Sequence, residues 1–121
     1  MNNRQQITNT IQTYFDCMYE SSSEKAHKAF HPDAWITGYL PNGFQHMSVT
    51  GFADFVASQQ PSPKANGEPA ELEIISIDIA GHTAVARVRD AYLGLTFLDT
   101  LSFIEHDGEW RIINKLFHVE G

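Results

Sequence analysis

Residues 96–119 read TFLDTLSFIEHDGEWRIINKLFHV, and their interpretation decides the fold. The runs Thr96–Glu105 and Trp110–Val119 are rich in β-branched and aromatic residues. Between them stands Asp107-Gly108, the dipeptide favoured where both central residues of a hairpin turn take positive φ. The stretch therefore predicts two antiparallel strands closed by a tight turn. Working upstream, Thr83–Leu93 and Leu72–Ile79 have the same strand character, with AGHT and Gly94 as the intervening turns. The C-terminal half is a meander of four strands.

The block PSPKANGEP, residues 61–69, separates this meander from a helical half and reads as a connection. In the helical half, Ile7, Ile11, Tyr14, Phe15, Met18 and Tyr19 recur at helical spacing, which predicts an amphipathic helix over about residues 4–20. Ser21 and Glu24 have capping-box spacing for a second helix through Phe30, which Pro32 is expected to close. Trp35, Ile36 and Thr37 lead into a short strand, and Pro41-Asn42-Gly43 marks a turn. Thr50 is placed to cap a third helix, GFADFVASQQ, ending before Pro61. Helices followed by a strand meander predict an α+β fold. Three N-terminal helices would pack on a strongly curved, mostly antiparallel sheet of one short and four long strands, in one domain over residues 1–121.

Composition narrows the function. The chain has 121 residues, 42% hydrophobic, enough for one core. Its net charge of −7 argues against nucleic acid and anionic membranes as partners. No apolar run is long enough for a membrane span, and the first ten residues show no leader pattern. The single cysteine, Cys17, has no internal partner, which fits a reducing, cytoplasmic setting. The six histidines lack H-x-x-x-H and H-E-x-x-H spacing, and there is no glycine-rich phosphate loop, so neither a metal nor a cofactor is expected.

The order of elements, with KAFHPDAWI before the first strand and DGEWRIINKLFH as the last hairpin, resembles the nuclear transport factor 2-like superfamily. AFHPDA, FLDTLSF and GEWRIINKLFH are most similar to the branch labelled "putative lumazine-binding". The resemblance covers nearly the whole chain. It implies a cone formed by a bent sheet around helices, a small-molecule pocket inside, and a homodimer formed through the outer sheet face. Members of this shape include dehydratases, isomerases, polyketide cyclases and transport adaptors, so the fold names no reaction. The ketosteroid isomerases of the superfamily carry a catalytic aspartate on the strand and turn after the second helix, where this chain reads WITGYLPNG. No Asp or Glu stands between Asp33 and Asp54, which argues against that chemistry. The scytalone dehydratase pattern is approached loosely by His31, His118 and Asp99.

Strict alternation along Thr96–Glu105 puts Asp99 on one face with Phe97, Leu101 and Phe103. A carboxylate on an apolar face must be paired, protonated or exposed. It is either a proton-transfer group or the partner of Lys115 or Arg87 in a salt bridge. The same alternation groups Trp110, Ile112, Asn114, Leu116 and His118, with Asn114 and His118 as polar interruptions able to orient a ligand or to satisfy backbone groups. Asp33, after Pro32, reads as an Asx turn. His31 ends the second helix just before the strand that lines the cavity in the superfamily, and an imidazole suits proton transfer or helix capping. Two readings follow. One is a homodimeric binding module for a small, partly aromatic molecule, with Tyr14, Trp35, Phe55, Phe97, Asn114 and His118 as ligand-binding residues. The other is a lyase or isomerase of dehydratase or cyclase type with His31 and Asp99 as the catalytic pair, which requires those two side chains to share one cavity.

Overall fold

Asn2 turns its side chain back to accept a hydrogen bond from the Gln5 N–H, and helix α1, Asn3–Tyr19, starts there. The computed structural model describes residues 2–121. Ile7, Ile11, Tyr14, Phe15 and Met18 form the buried stripe of α1, each worth roughly 1.5–3 kcal/mol once removed from water. Helix α2, Ser23–Ala29, is capped by Ser22 rather than by Ser21. Ser21 instead takes a left-handed conformation, φ 53°, and donates its hydroxyl to the Gln59 carbonyl. Helix α3, Val49–Ser58, is capped by Ser48, two residues before the expected Thr50.

Strand β1 runs Phe30–Leu40, much longer than the expected short strand, and passes through Pro32. The register of its pairing shifts between Phe30 and Trp35, the kind of irregularity at which a strand accepts a proline. His31 therefore begins a strand; it does not end a helix. A further strand, β2, Gly43–Ser48, returns antiparallel to β1 through the Pro41-Asn42 turn. The meander follows the sequence reading closely, with β3 over Leu72–Ala80, β4 over Thr83–Tyr92, β5 over Leu95–His106 and β6 over Glu109–Val119. Asp107 and Gly108 both have positive φ, 54° and 78°, as that hairpin turn demands.

Among the described residues the six strands form one sheet in the order β2-β1-β6-β5-β4-β3, antiparallel except where β1 lies parallel to β6. The three helices pack on its concave face, and the core lies between. The fold is α+β, as expected. At the β1–β6 seam, Gly38 lies so close to Phe117 that a Cβ there would stand 2.3 Å from the Phe117 carbonyl oxygen.

One irregularity in β6 decides which side chains face inward. Ser102 pairs with Asn114 but Phe103 pairs with Ile112, so Ile113 is an extra residue, a β-bulge. Trp110 and Ile112 point to the core before it, and Lys115 and Phe117 do so after it.

Candidate functional site

A pocket of ≈ 80 Å³ opens between α1, α3, the β1–β2 hairpin and the inner faces of β4–β6. Its walls are largely apolar, with Phe52 and Phe55 from α3, Met18 from α1, and Phe97 and Phe117 from the sheet. Lys115 is its one charged lining residue. The Lys115 ammonium lies 4.7 Å from the centre of the Tyr14 ring, 4.8 Å from Phe52 and 5.4 Å from Phe117. Three aromatic faces of this kind attract a cation.

Behind these rings is a cluster of polar groups buried in the core. Tyr14 from α1, Asp99 from β5 and Asp90 from β4 are each at most 2% exposed. The Tyr14 hydroxyl donates a 2.6 Å hydrogen bond to Asp99 Oδ2. Val88 pairs with Asp99 and Asp90 with Phe97, so the two carboxyls project inward from adjacent strands at diagonal positions. With both ionised, neither oxygen of Asp90 nor Oδ1 of Asp99 would have a donor. A proton on Asp90 supplies one. Burial, a side-chain hydrogen bond to Asp99 and the Asp99 charge push Asp90 up to about 9, against the opposing pull of Lys115. Burial and the two carboxyls likewise hold the Tyr14 hydroxyl well above its ordinary range. Near neutral pH the cluster thus keeps a proton on Asp90 and one on the phenol. Tyr92, also buried, adds a hydroxyl without a partner.

The expected site residues divide into two groups. Phe55 and Phe97 line the pocket, and Tyr14 and Asp99 form the cluster beneath it. Trp35, Asn114 and His118 do not. Trp35 lies exposed on the convex sheet face with its ring stacked on His46, centroids 4.4 Å apart. Asn114 pairs with Trp35 and Ser102 on that convex side, and His118 is exposed. The bulge at Ile113 reverses the expected alternation and puts Lys115 and Phe117 where Asn114 and His118 were expected.

His31 and Asp99 do not converge. The His31 ring stacks on His106, centroids 5.5 Å apart, and its Nδ1 accepts from the Asp33 N–H. His106 closes β5 seven residues beyond Asp99, a separation of about 24 Å at strand rise. The pairing of His31 with Asp99 is corrected accordingly. Arg87, one of the two salt-bridge partners weighed for Asp99, points outward and donates to the Thr100 hydroxyl. Asp90 is a site residue that the sequence reading missed, as are the pocket residues Met18, Phe52, Lys115 and Phe117. The signal for Asp90 was its place two residues from Val88 and from Tyr92 on the buried face of β4, the same alternation that singles out Asp99.

The fold is that of a nuclear transport factor 2-like protein, and it carries a small, largely apolar pocket that opens to the surface. The chain belongs to the family described as "Putative lumazine-binding", whose model matches residues 2–118. It is similar to a protein named Aldolase FrzH from a Cladobotryum species, 29% identical over 109 residues that span 90% of this chain and 85% of that protein. Among solved structures, it is similar to an NTF2-like protein of unknown function from Methylobacillus flagellatus, 28% identical with a TM-score of 0.85, covering 98% of this chain and 93% of the other. An NTF2-like protein of unknown function from Silicibacter pomeroyi, 21% identical, superposes with a TM-score of 0.86 over 99% of this chain and all of its own. Among the described residues no helix is long and apolar enough to cross a membrane.

Proposed function

We propose that the protein binds a small, mostly apolar carbonyl compound in this pocket and moves a proton at the carbon beside the carbonyl, as a lyase or isomerase does. The observation that carries the reading is the Asp90–Asp99–Tyr14 cluster. Burying these three polar groups, with both Asp90 oxygens and Asp99 Oδ1 outside the Tyr14 hydrogen bond, lowers stability. Such groups gather where a protein needs a proton held at an unusual pH. A carboxyl pair sharing one proton offers an acid and a base in one place. The pocket is lined by rings and thioethers, which suits an apolar ligand body. The similarity to a protein named as an aldolase supports the same chemistry, since an aldol step begins with proton loss beside a carbonyl. Asp99 keeps its place in this reading and Asp90 replaces His31 as its partner.

The reading includes a homodimer through the convex sheet face, supported by the exposed side chains of Trp35, Tyr39, Phe44 and Leu116 there. A reducing, cytoplasmic setting is supported by Cys17, which is buried and unpaired.

The test is exchange of the α-hydrogens of cyclohexanone in D₂O, followed by NMR. Wild-type protein is expected to accelerate exchange over buffer, and Asp99→Asn to lose the acceleration. Exchange no faster than buffer with folded wild-type protein would remove proton transfer from the reading.

A further inference from the structure

Lys115 pulls electrostatically on Asp90, and its surroundings are unusual for a lysine. The residue is 5% exposed and lines the pocket. Among the described residues its ammonium makes no ion pair within 4 Å and no hydrogen bond; it lies against the rings of Tyr14, Phe52 and Phe117 and acts on Asp90 through charge at longer range. The other lysines differ. Lys25 is paired with Glu20 at 2.7 Å, and Lys28 and Lys64 are exposed. Lysine is almost never fully buried without a partner, because its charge loses hydration. A methionine at this position would fill the same apolar space without that penalty. The bulge at Ile113 is what turns this side chain inward.

We infer that Lys115 binds its ligand covalently, its amine condensing with an aldehyde or ketone in the pocket to form an imine. This deepens the reading of a carbonyl pocket and rests on it. The ammonium first gives a proton to the Asp90–Asp99 pair by way of water admitted to the pocket, as it makes no direct hydrogen bond to either carboxyl. The freed lone pair attacks the carbonyl carbon, and the C=O π electrons move to oxygen, which takes a proton back from the pair. The nitrogen then releases a second proton to the pair, which passes it to the carbinolamine hydroxyl. The C–O bond breaks, water leaves, and the nitrogen lone pair closes the C=N bond. One ammonium and one carbonyl become one iminium and one water, with no oxidant or reductant. The charge on nitrogen is +1 at both ends, so the aromatic faces that hold the ammonium also hold the iminium. The iminium withdraws electrons from the adjacent carbon, which eases the proton loss assigned to the carboxyl pair.

Acetylacetone is a suitable probe because its adduct with an amine is a stable, ultraviolet-absorbing vinylogous amide. Wild-type protein is expected to gain the mass of one acetylacetone less one water. Peptide mapping is expected to place it on Lys115 in preference to Lys25, Lys28 and Lys64. Lys115→Arg and Lys115→Met, each checked for folding by circular dichroism, are expected to lose the fast-forming adduct and to keep only the slow labelling of the other lysines. Absence of label on Lys115 in folded wild-type protein, or label there no faster than on Lys28 and Lys64, overturns the inference. The cyclohexanone exchange assay separates the two readings. Exchange without label removes the covalent step alone, label without exchange removes proton transfer alone, and neither removes both.

Discussion

The Tyr14 hydroxyl and Asp99 Oδ2 meet at 2.6 Å across 85 positions of sequence, joining the first helix to the fifth strand in the centre of the core. Tyr14 is also the ring beneath the Lys115 ammonium. One phenol thus connects the buried acid pair to the pocket.

Tyr14→Phe is expected to lower stability by about 1–3 kcal/mol, because it leaves Asp99 Oδ2 without its donor while keeping the ring. Asp99→Asn is expected to cost less, since its amide oxygen still accepts from Tyr14 and its NH₂ donates to Asp90. Urea unfolding of both single variants and the double variant would give the coupling. Additive effects would show that the 2.6 Å contact contributes nothing of its own.

Asp90 gives stability a sign with pH. Its folded value of about 9 lies above the ordinary 3.8, so between these limits the native protein holds a proton that the unfolded chain has released. The contribution to stability is full below the ordinary value and is lost as pH rises toward about 9. The slope approaches 1.4 kcal/mol per pH unit at most, on the order of one linked proton. Asp90→Asn is expected to flatten this dependence and to be the more stable form toward the alkaline end, as read from urea midpoints across the window. An unchanged slope in the variant would place the linked proton elsewhere.

Gly38→Ala is expected to destabilise by roughly 1–3 kcal/mol or more, because the new methyl meets backbone oxygen and ring atoms of Phe117 and neither is the free end of a flexible chain. The strain falls on a pocket wall. Weakened binding of any pocket ligand should accompany the lower melting temperature.

Leu116→Glu and Phe44→Glu place charges on the convex sheet face, where both residues are about half exposed. Light scattering is expected to give a dimer mass for wild type and a monomer mass for each variant, with unchanged circular dichroism. A monomeric wild type at micromolar concentration would remove the dimer.

Much of this architecture was legible locally. The α1 stripe, the Asp107-Gly108 turn and the inward face of Asp99 all follow from spacing along a single element. The same rule applied to β4 exposes Asp90, between Val88 and Tyr92. Pro32 misled because a proline stops a helix and also tolerates an irregular strand. Only the pairing of β1 with β6 selects the second role and carries His31 away from Asp99.

By itself, the sequence determined the α+β class, the three helices, the four-strand meander and the carboxylate at Asp99, because propensity and periodicity act within a few residues of one another. Tertiary structure alone decided the parallel β1–β6 seam, the grouping of Tyr14, Asp90 and Asp99, and the inward turn of Lys115. The physical reason is most direct at Ile113. A one-residue bulge leaves the composition of a strand unchanged yet reverses the face of every residue beyond it. Whether it forms depends on how β5 and β6 fit together around the core.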